Sequence, residues 1–270
     1  MPRAIDSPVN VQPGLGLFSA AIGPLEMPDH GAFEGIEYVA ESCGVVRLYP
    51  GICDLTPPSK DFPEGVGEFV EALPFLVYAS EVCGIAGRSV DDAQARARRK
   101  LAMREQWGVE RFLIGGDTGV PGLLDGLTLT TLGVGATVAE ALALLEQDAA
   151  ENYGLPVTIH MVPGLSAHAG AEGVLQQTPR NELATTWAGN KVVVGQGYEN
   201  VDEAGVANVA GTYTIWATGP IAIWRDPEAF VPPARQVFNR STNQLAILAE
   251  RTYLLAYECY AAAVTVTFAG

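Results

Sequence analysis

The chain has 270 residues, 48% of them hydrophobic and 17% charged, with 31 acidic against 16 basic side chains and a formal net charge of −15. That apolar content is ample for a core and excludes a disordered chain, and the length permits one large domain or two modest ones. The acidic balance excludes a surface that grips nucleic acid by neutralising phosphates, because on average such a chain repels a polyanion.

Residues 1–34 are rich in Pro and Gly and show no hydrophobic period, which predicts an extended arm. Termini fray unless tied down, so a neighbouring subunit is expected to hold it. The N-terminal stretch lacks the apolar core of a signal peptide, and no window reaches the ~18–20 apolar residues of a spanning helix, so a soluble protein is expected. "IEYVAESCGVVRLYPGIC" (36–53) and "VEALPFLVYASEVC" (70–83) read as strands around the turn-rich "DLTPPSKDFPEGVGEF" (54–69). A loop this long is functional or reaches outward. The four cysteines, Cys43, Cys53, Cys83 and Cys259, contain no Cys-x-x-Cys pair, so no zinc site is expected. Cys43 and Cys53 could face each other across a hairpin, but reduced thiols in apolar surroundings are the expected state.

The clearest helix is "SVDDAQARARRKLAMREQWGVERFLI" (89–114), capped by Ser89 with Asp91 and Asp92 in the first turn. At 100° per residue Val90, Ala97, Leu101, Val109 and Phe112 gather on one side, and Arg96, Arg99, Lys100, Arg104 and Arg111 on the other. Seven of the 16 basic residues lie between 88 and 111. A charged helix face is ordinarily a solvated one; here it is read as a surface for acidic partners, other copies of the chain included. A loop over 115–133 leads to a second helix, 137–154, with Thr137 and Glu140 as a capping box and Gly154 closing it. "LPVTIHMVP" (155–163) reads as a buried strand and "GLSAHAGAEGVLQQ" (164–177) as a short helix. A small polar strand or turn and then a strand are expected in 178–198, more strand in 212–226, and a helix or extended segment ending in a strand over 241–268. The mixed order makes the class α+β.

Reactive chemistry is thin. Ser166 and His168 stand two apart without a Gly-x-Ser-x-Gly elbow, which is a poor basis for a serine hydrolase. His30 and His160 complete the histidines, and His160, inside an apolar strand, is expected to be a satisfied core or subunit-contact residue. Gly133 and Gly135 before a helix are a fragment of a dinucleotide loop without its third glycine, better read as a tight turn. No catalytic, cofactor-binding or metal-ligating residues are expected, and the protein is not read as an enzyme.

The order of parts is the stronger signal. An arm, a long two-stranded loop, a strand into "VYASEVCG" and a long charged helix precede a compact region around "ALALLEQDAAENYGLPVTIHMVPGLSAHA". "KVVVGQGY" and a closing "ERTYLLAYECYAAAVTV" follow. This layout resembles the major capsid proteins of tailed bacteriophages, the Hong Kong 97 type of fold, and most of all the short capsid proteins of phages infecting actinobacteria. The resemblance implies an N-terminal arm at about 1–34, an extended loop at about 35–75, a peripheral domain of about 76–125 plus 236–270 carrying the spine helix, and an axial domain of about 126–235. It implies a virion protein, assembled in the host cytoplasm, that forms hexamers and pentamers of an icosahedral shell around double-stranded DNA. Its partners would be itself, a portal, and scaffolding or decoration proteins, with no cofactor and no membrane. An encapsulin-like compartment of the same fold is the alternative.

The family's founding member makes a Lys–Asn cross-link between subunits. Only Lys60, Lys100 and Lys191 are present, and although Lys60 lies near the loop tip, no catalytic Glu or acceptor Asn aligns. Lys60 is therefore carried, with the five helix cations, as a candidate subunit contact. No scaffold-like helix precedes residue 1, so a separate scaffolding protein, or none, is expected, unless such a segment was removed before residue 1. The closing "CYAAAVTVTFAG" (259–270) carries no charge. Its Val/Thr alternation predicts a strand with one face covered, packed beneath the spine helix in the peripheral domain.

Overall fold

The computed structural model of the chain describes residues 14–40, 69–84, 89–127, 129–176, 178–179, 182–232, 238–239 and 244–268. Two sheets organise them. The first has five strands: β1 (Ile22–Glu26), β4 (Phe75–Gly84), β11 (Ile221–Arg225), β12 (Phe238–Asn239) and β13 (Gln244–Tyr257). β13 is its spine. It pairs antiparallel with β4 from Gln244↔Gly84 to Tyr253↔Phe75, and with β11 from Tyr253↔Arg225 to Tyr257↔Ile221. β1 lies parallel to β11 at the edge.

The long helix α3 (Val90–Leu113) covers one face of this sheet. The Ser89 side chain accepts from the Asp92 N–H at 3.1 Å and starts the helix. Ala93, Ala97 and Leu101 pack on Ile247 and Ala249, and the small alanines bring helix and sheet close. Gly108 lies so near Val77 that a Cβ would stand 2.6 Å from its Cγ1. Alternation along β13 turns Leu254 and Ala256 to the opposite face. There they meet Ile36, Tyr38, Val70 and Ala72 of an antiparallel ribbon, β2 (Ile36–Val39) and β3 (Phe69–Ala72), which follows the short helix α2 (Gly31–Glu34). Residues 41–68, between the two ribbon strands, lie outside the described residues, as does Lys60.

The second sheet has seven strands in the order β5 (Thr130–Gly135), β14 (Ala261–Thr267), β10 (Thr212–Thr218), β6 (Thr158–Met161), β9 (Lys191–Val194), β8 (Ala184–Thr186) and β7 (Leu175–Gln176). α4 (Val138–Asn152) packs on β14 and β5, and α5 (Pro163–Glu172) packs on α4. The α4 N-terminus is fully capped. Thr137 accepts from the Glu140 N–H, and Glu140 accepts from the Ala136 N–H. Glu172 reaches across from α5 to accept from Val138 and Ala139. Gly133 and Gly135 are not a turn; they belong to β5, and Gly133, at φ +100°, sits where the β5–β14 register slips.

The terminal run does not pack beneath the spine helix. β14 is an interior strand of the seven-stranded sheet, between β5 and β10, under α4. Ala262, Ala263 and Val264 are buried in succession, so both faces are covered rather than one. In the register Ala263 lies opposite Trp216, and α4 packs on the strand. α3 is already occupied by β4 and β13. The expectation of a neighbour holding the arm also changes for residues 14–26. The short helix α1 (Leu17–Ala20) buries Leu17 in this chain's own core, Phe18 stacks on Tyr253, and β1 joins the sheet. Cys259 is disulfide-bonded, so the reduced state expected of all four thiols does not hold at that residue. Cys43 and Cys53 lie outside the described residues.

Besides the long connection from β4 to β5 through α3, the chain passes between the sheets at two neighbouring points. β10 runs into β11 through Gly219 and Pro220, and β13 into β14 through Glu258, Cys259 and Tyr260. Two backbone hydrogen bonds join the passes, Gly219 N–H to Tyr260 C=O at 2.8 Å and Glu258 N–H to Pro220 C=O at 3.1 Å. A Cβ at Gly219 would lie 2.2 Å from the Glu258 carbonyl oxygen, which is backbone and cannot yield cheaply. Gly219→Ala is therefore expected to destabilise the fold by about 1–3 kcal/mol, as overpacking does. Urea denaturation monitored by tryptophan fluorescence checks it.

Candidate assembly surfaces and the joints behind them

Ser166 and His168 do not form a catalytic pair. Ser166 donates its hydroxyl to the Pro163 carbonyl at 2.7 Å, and the His168 ring stacks on Phe268 with centroids 4.0 Å apart. Among the described residues no group of three or more His, Cys, Asp or Glu could hold a metal ion, and no helix is long and apolar enough to cross a membrane. His30 is exposed at a left-handed position before α2.

His160 is fully buried in β6. One ring nitrogen meets the Tyr198 hydroxyl at 2.8 Å and the other the Thr218 hydroxyl at 2.9 Å. Burial lowers its pKa to about 3, so the ring is neutral and satisfied.

The basic face of α3 carries cations that differ in their exposure and in what they engage. Lys100 pairs with Glu81 at 2.5 Å and donates to the Ser80 carbonyl. Arg111 donates to the Gly116 carbonyl and pairs with Glu199. Arg104 is exposed, its guanidinium 4.7 Å from the centre of the Trp107 ring. Arg99 is exposed as well, and Arg96 is half-buried. Helical spacing thus located a basic surface, but it could not show which cations β4 and the loop after β9 would engage.

Two acids on the same helix carry more structure than its cations. Glu105 accepts from Arg225 at 3.0 Å, Arg251 at 2.8 Å and the Tyr253 hydroxyl at 2.9 Å, joining α3 to β11 and β13. Glu110 is fully buried with no cation paired to it among the described residues. One oxygen accepts the Leu17 N–H at 3.0 Å and the other the Gly197 N–H at 2.9 Å. Burial pushes its carboxyl above the usual range, while the Leu17, Gly197 and Gln196 N–H groups pull the other way. A Cβ on Gly16 would lie 2.3 Å from this carboxylate, and one on Gly197 2.1 Å from the Trp107 carbonyl oxygen. The only trace of either role in the sequence is an acid set among the helix's apolar positions.

A third feature was not anticipated at all. The loop 200–211, between β9 and β10, exposes Val206 and Val209 at its surface.

Removing one partner of a buried ion cluster leaves uncompensated charge. Glu105, with 13% of its side chain exposed, serves two arginines, so Glu105→Ala is expected to cost about 3–5 kcal/mol in chemical denaturation. His160 gives a pH dependence. Its folded pKa, about 3, lies below the unfolded value of about 6.5, so its contribution is complete above pH ~6.5 and is lost as pH falls toward 3. Glu110, with a raised pKa, works in the opposite sense, favouring the fold as it becomes protonated. The slope of unfolding free energy between pH 6.5 and 5 should therefore flatten in His160→Gln, and an unchanged slope would contradict the assignment.

No protein-family model matches the chain, and no curated protein is significantly similar to it in sequence. Solved structures do match. The capsid of Ralstonia phage GP4 superposes with a TM-score of 0.54 at 11% identity, over 100% of this chain and 96% of that one. A structure from Mycobacterium phage Bobi gives 0.54 at 10% identity, over 100% and 95%. The SrpI encapsulin complex of Synechococcus elongatus gives 0.51 at 13% identity, over 84% and 95%. At these identities the likeness is one of fold, and it answers the layout read from the sequence: the chain has the Hong Kong 97-like fold of phage capsid subunits.

Proposed function

We propose that this chain is the major capsid protein of a tailed bacteriophage, whose copies assemble as hexamers and pentamers into an icosahedral shell around double-stranded DNA. The observation that carries the proposal is the reach of the likeness, in which a phage capsid fold accounts for 100% of this chain and nearly all of its own. In this role the protein belongs to the virion, assembled in the host cytoplasm. It binds chiefly itself, with a portal and scaffolding or decoration proteins as further partners. The acidic balance lets it enclose DNA without gripping it.

The parts take the roles of that fold. The ribbon of β2 and β3 is the base of an extended loop spanning about 35–75, and residues 1–34 supply the arm, its second half anchored on α3. The peripheral domain is assigned to α3 with the five-stranded sheet, and the axial domain to the seven-stranded sheet, β14 included. Of the cations put forward as subunit contacts (Arg96, Arg99, Lys100, Arg104, Arg111 and Lys60), the exposed Arg104 is the first choice, because Lys100 and Arg111 already hold acids of their own chain.

An encapsulin-like compartment is the second reading, supported by the SrpI likeness. A serine hydrolase loses its support, because Ser166 and His168 are engaged with other partners.

Electron microscopy of the purified protein tests the proposal. Closed shells with six-fold and five-fold capsomers are expected, and particles recovered from infected cells should contain DNA rather than an enzyme cargo. A monomer under all conditions of concentration and salt would rule out both shell readings.

A further inference from the structure

Cys259 is disulfide-bonded, and the chain offers it three partners, Cys43, Cys53 and Cys83. The register of β13 removes one of them. Cys83 lies opposite Leu245, at the start of β13, whereas Cys259 comes just after its last residue, Tyr257. A strand rises ~3.3 Å per residue, which sets the two positions on the order of 40 Å apart, and a disulfide joins Cα atoms no more than ~7 Å apart.

The other two stand in the segment 41–68, between the ribbon strands. The end of β2 shows which of them enters that segment nearer to Cys259. Ile36 and Tyr38 pack on Leu254 and Ala256, the last of these three residues before Cys259. The Tyr38 ring lies 6.2 Å from Trp224 of β11. Burial first, and then the carboxylate of Glu258, the residue before Cys259, push the Tyr38 hydroxyl up to about 12. Ala40, next on the same side of the strand, is 3% exposed. β2 thus brings the chain beside the passage between the sheets. Cys43 follows Ala40 by three residues, which keeps it within about 11 Å even if they are fully extended. Cys53 stands near the middle of the segment, and bonding there would close a longer stretch of chain at a higher entropic cost.

We propose that Cys259 is joined to Cys43, a staple that ties the root of the extended loop to the passage between the two sheets. The pairing excludes a bond between Cys43 and Cys53. Its chemistry also sets when it forms. Two thiols close to one disulfide as two protons and two electrons pass to an external disulfide, which leaves as two thiols. The cytosolic thiol pool keeps such pairs reduced, and a particle outside the cell meets no such pool. Subunits therefore assemble unstapled and are stapled after release. This timing rests on the shell reading; the pairing does not.

Trypsin parts the four cysteines into the peptides 4–47, 48–60, 61–88 and 252–270, so the full-length protein reports its own pairing. The purified protein is treated with oxidised glutathione, its remaining thiols are alkylated, and the unreduced digest is read by mass spectrometry. Peptides 4–47 and 252–270 should be found linked. A link from 252–270 to either other peptide, or none, overturns the pairing, as do disulfide-linked dimers on a non-reducing gel. Dithiothreitol should lower the melting temperature by about 5 °C or more. Cys43→Ser should melt that much lower and no longer respond to the reductant, while Cys53→Ser responds as wild type. A Cys43→Ser protein that still responds overturns the pairing, and if that variant does not fold, the digest of the wild-type chain still decides. For the timing, protein alkylated at the moment of lysis should carry the two peptides unlinked, and released particles should carry them linked. A link already present at lysis overturns the timing. A chain that never forms particles overturns the shell reading instead, with the pairing still read from the unassembled protein.

Discussion

The two sheets are held in one piece by the paired passage of the chain between them. β10 ends in the seven-stranded sheet and β11 lies in the five-stranded one, while β13 and β14 make the reverse change, so the strands on either side of residues 219–220 and 258–260 belong to different sheets. The passes are neighbours, joined by two backbone hydrogen bonds, and the space between them is too small for any side chain at Gly219. Tyr260 extends the joint into the seven-stranded side by donating to Asp148 at 2.7 Å and stacking on Tyr153 of the α4 C-terminus. A shift of one sheet against the other must break or bend both passes together.

The spine helix makes the complementary connection with charge. Its basic residues first suggested a surface, but its acids do the internal joining. Glu105 gathers Arg225, Arg251 and Tyr253 from two strands of one sheet. Glu110 ties the N-terminal segment and the turn after β9 of the other sheet to the same helix. The two sites differ in electrostatics. Glu105 is matched by cations, whereas Glu110 is held by backbone N–H groups alone, which satisfy its oxygens but leave a charge in the interior. Its raised pKa is the measure of that cost. The tight approach of Gly16 and Gly197 is what permits the arrangement, since a Cβ at either place would collide with helix atoms.

Local signals read well in this sequence. Ser89 and the Thr137–Glu140 box start α3 and α4 where capping chemistry requires, and "TIHM" and "KVVV" are buried strands as their apolar runs indicate. The order of these parts was enough to suggest the capsid-type fold. Partners across long sequence separations were not legible. Alternating Val and Thr in β14 imply a strand, but nothing in those residues says whether α3 or α4 lies above it. That choice follows from the pairing of β14 with β10 and β5 and its contact with α4, partners far away in sequence. Likewise Lys100 and Arg111 look like free surface cations until β4 brings Glu81, and the segment after β9 brings Glu199, within reach. The loop 200–211 escaped notice because its composition, "NVDEAGVANVAG", is that of an ordinary turn. Only hydrogen bonding shows that Asp202 and Asn208 point in.

That inversion bears on how an acidic chain can associate with itself. A surplus of 15 negative charges spread over the surface opposes every contact between copies, and salt screens such repulsion only beyond about 8–10 Å. Attraction must then come from two sources: local charge matching, for which the exposed cations of α3 are suited, and uncharged apolar surface, where desolvation is favourable and there is nothing to repel. The chain keeps these apart. The exposed Arg98, Arg99, Lys100 and Arg104 lie on the helix over the five-stranded sheet, and the exposed Val134, Val206 and Val209 lie toward one end of the seven-stranded sheet. A subunit that meets different neighbours through different bodies gains from such a division, because each contact can be strengthened or released without altering the other.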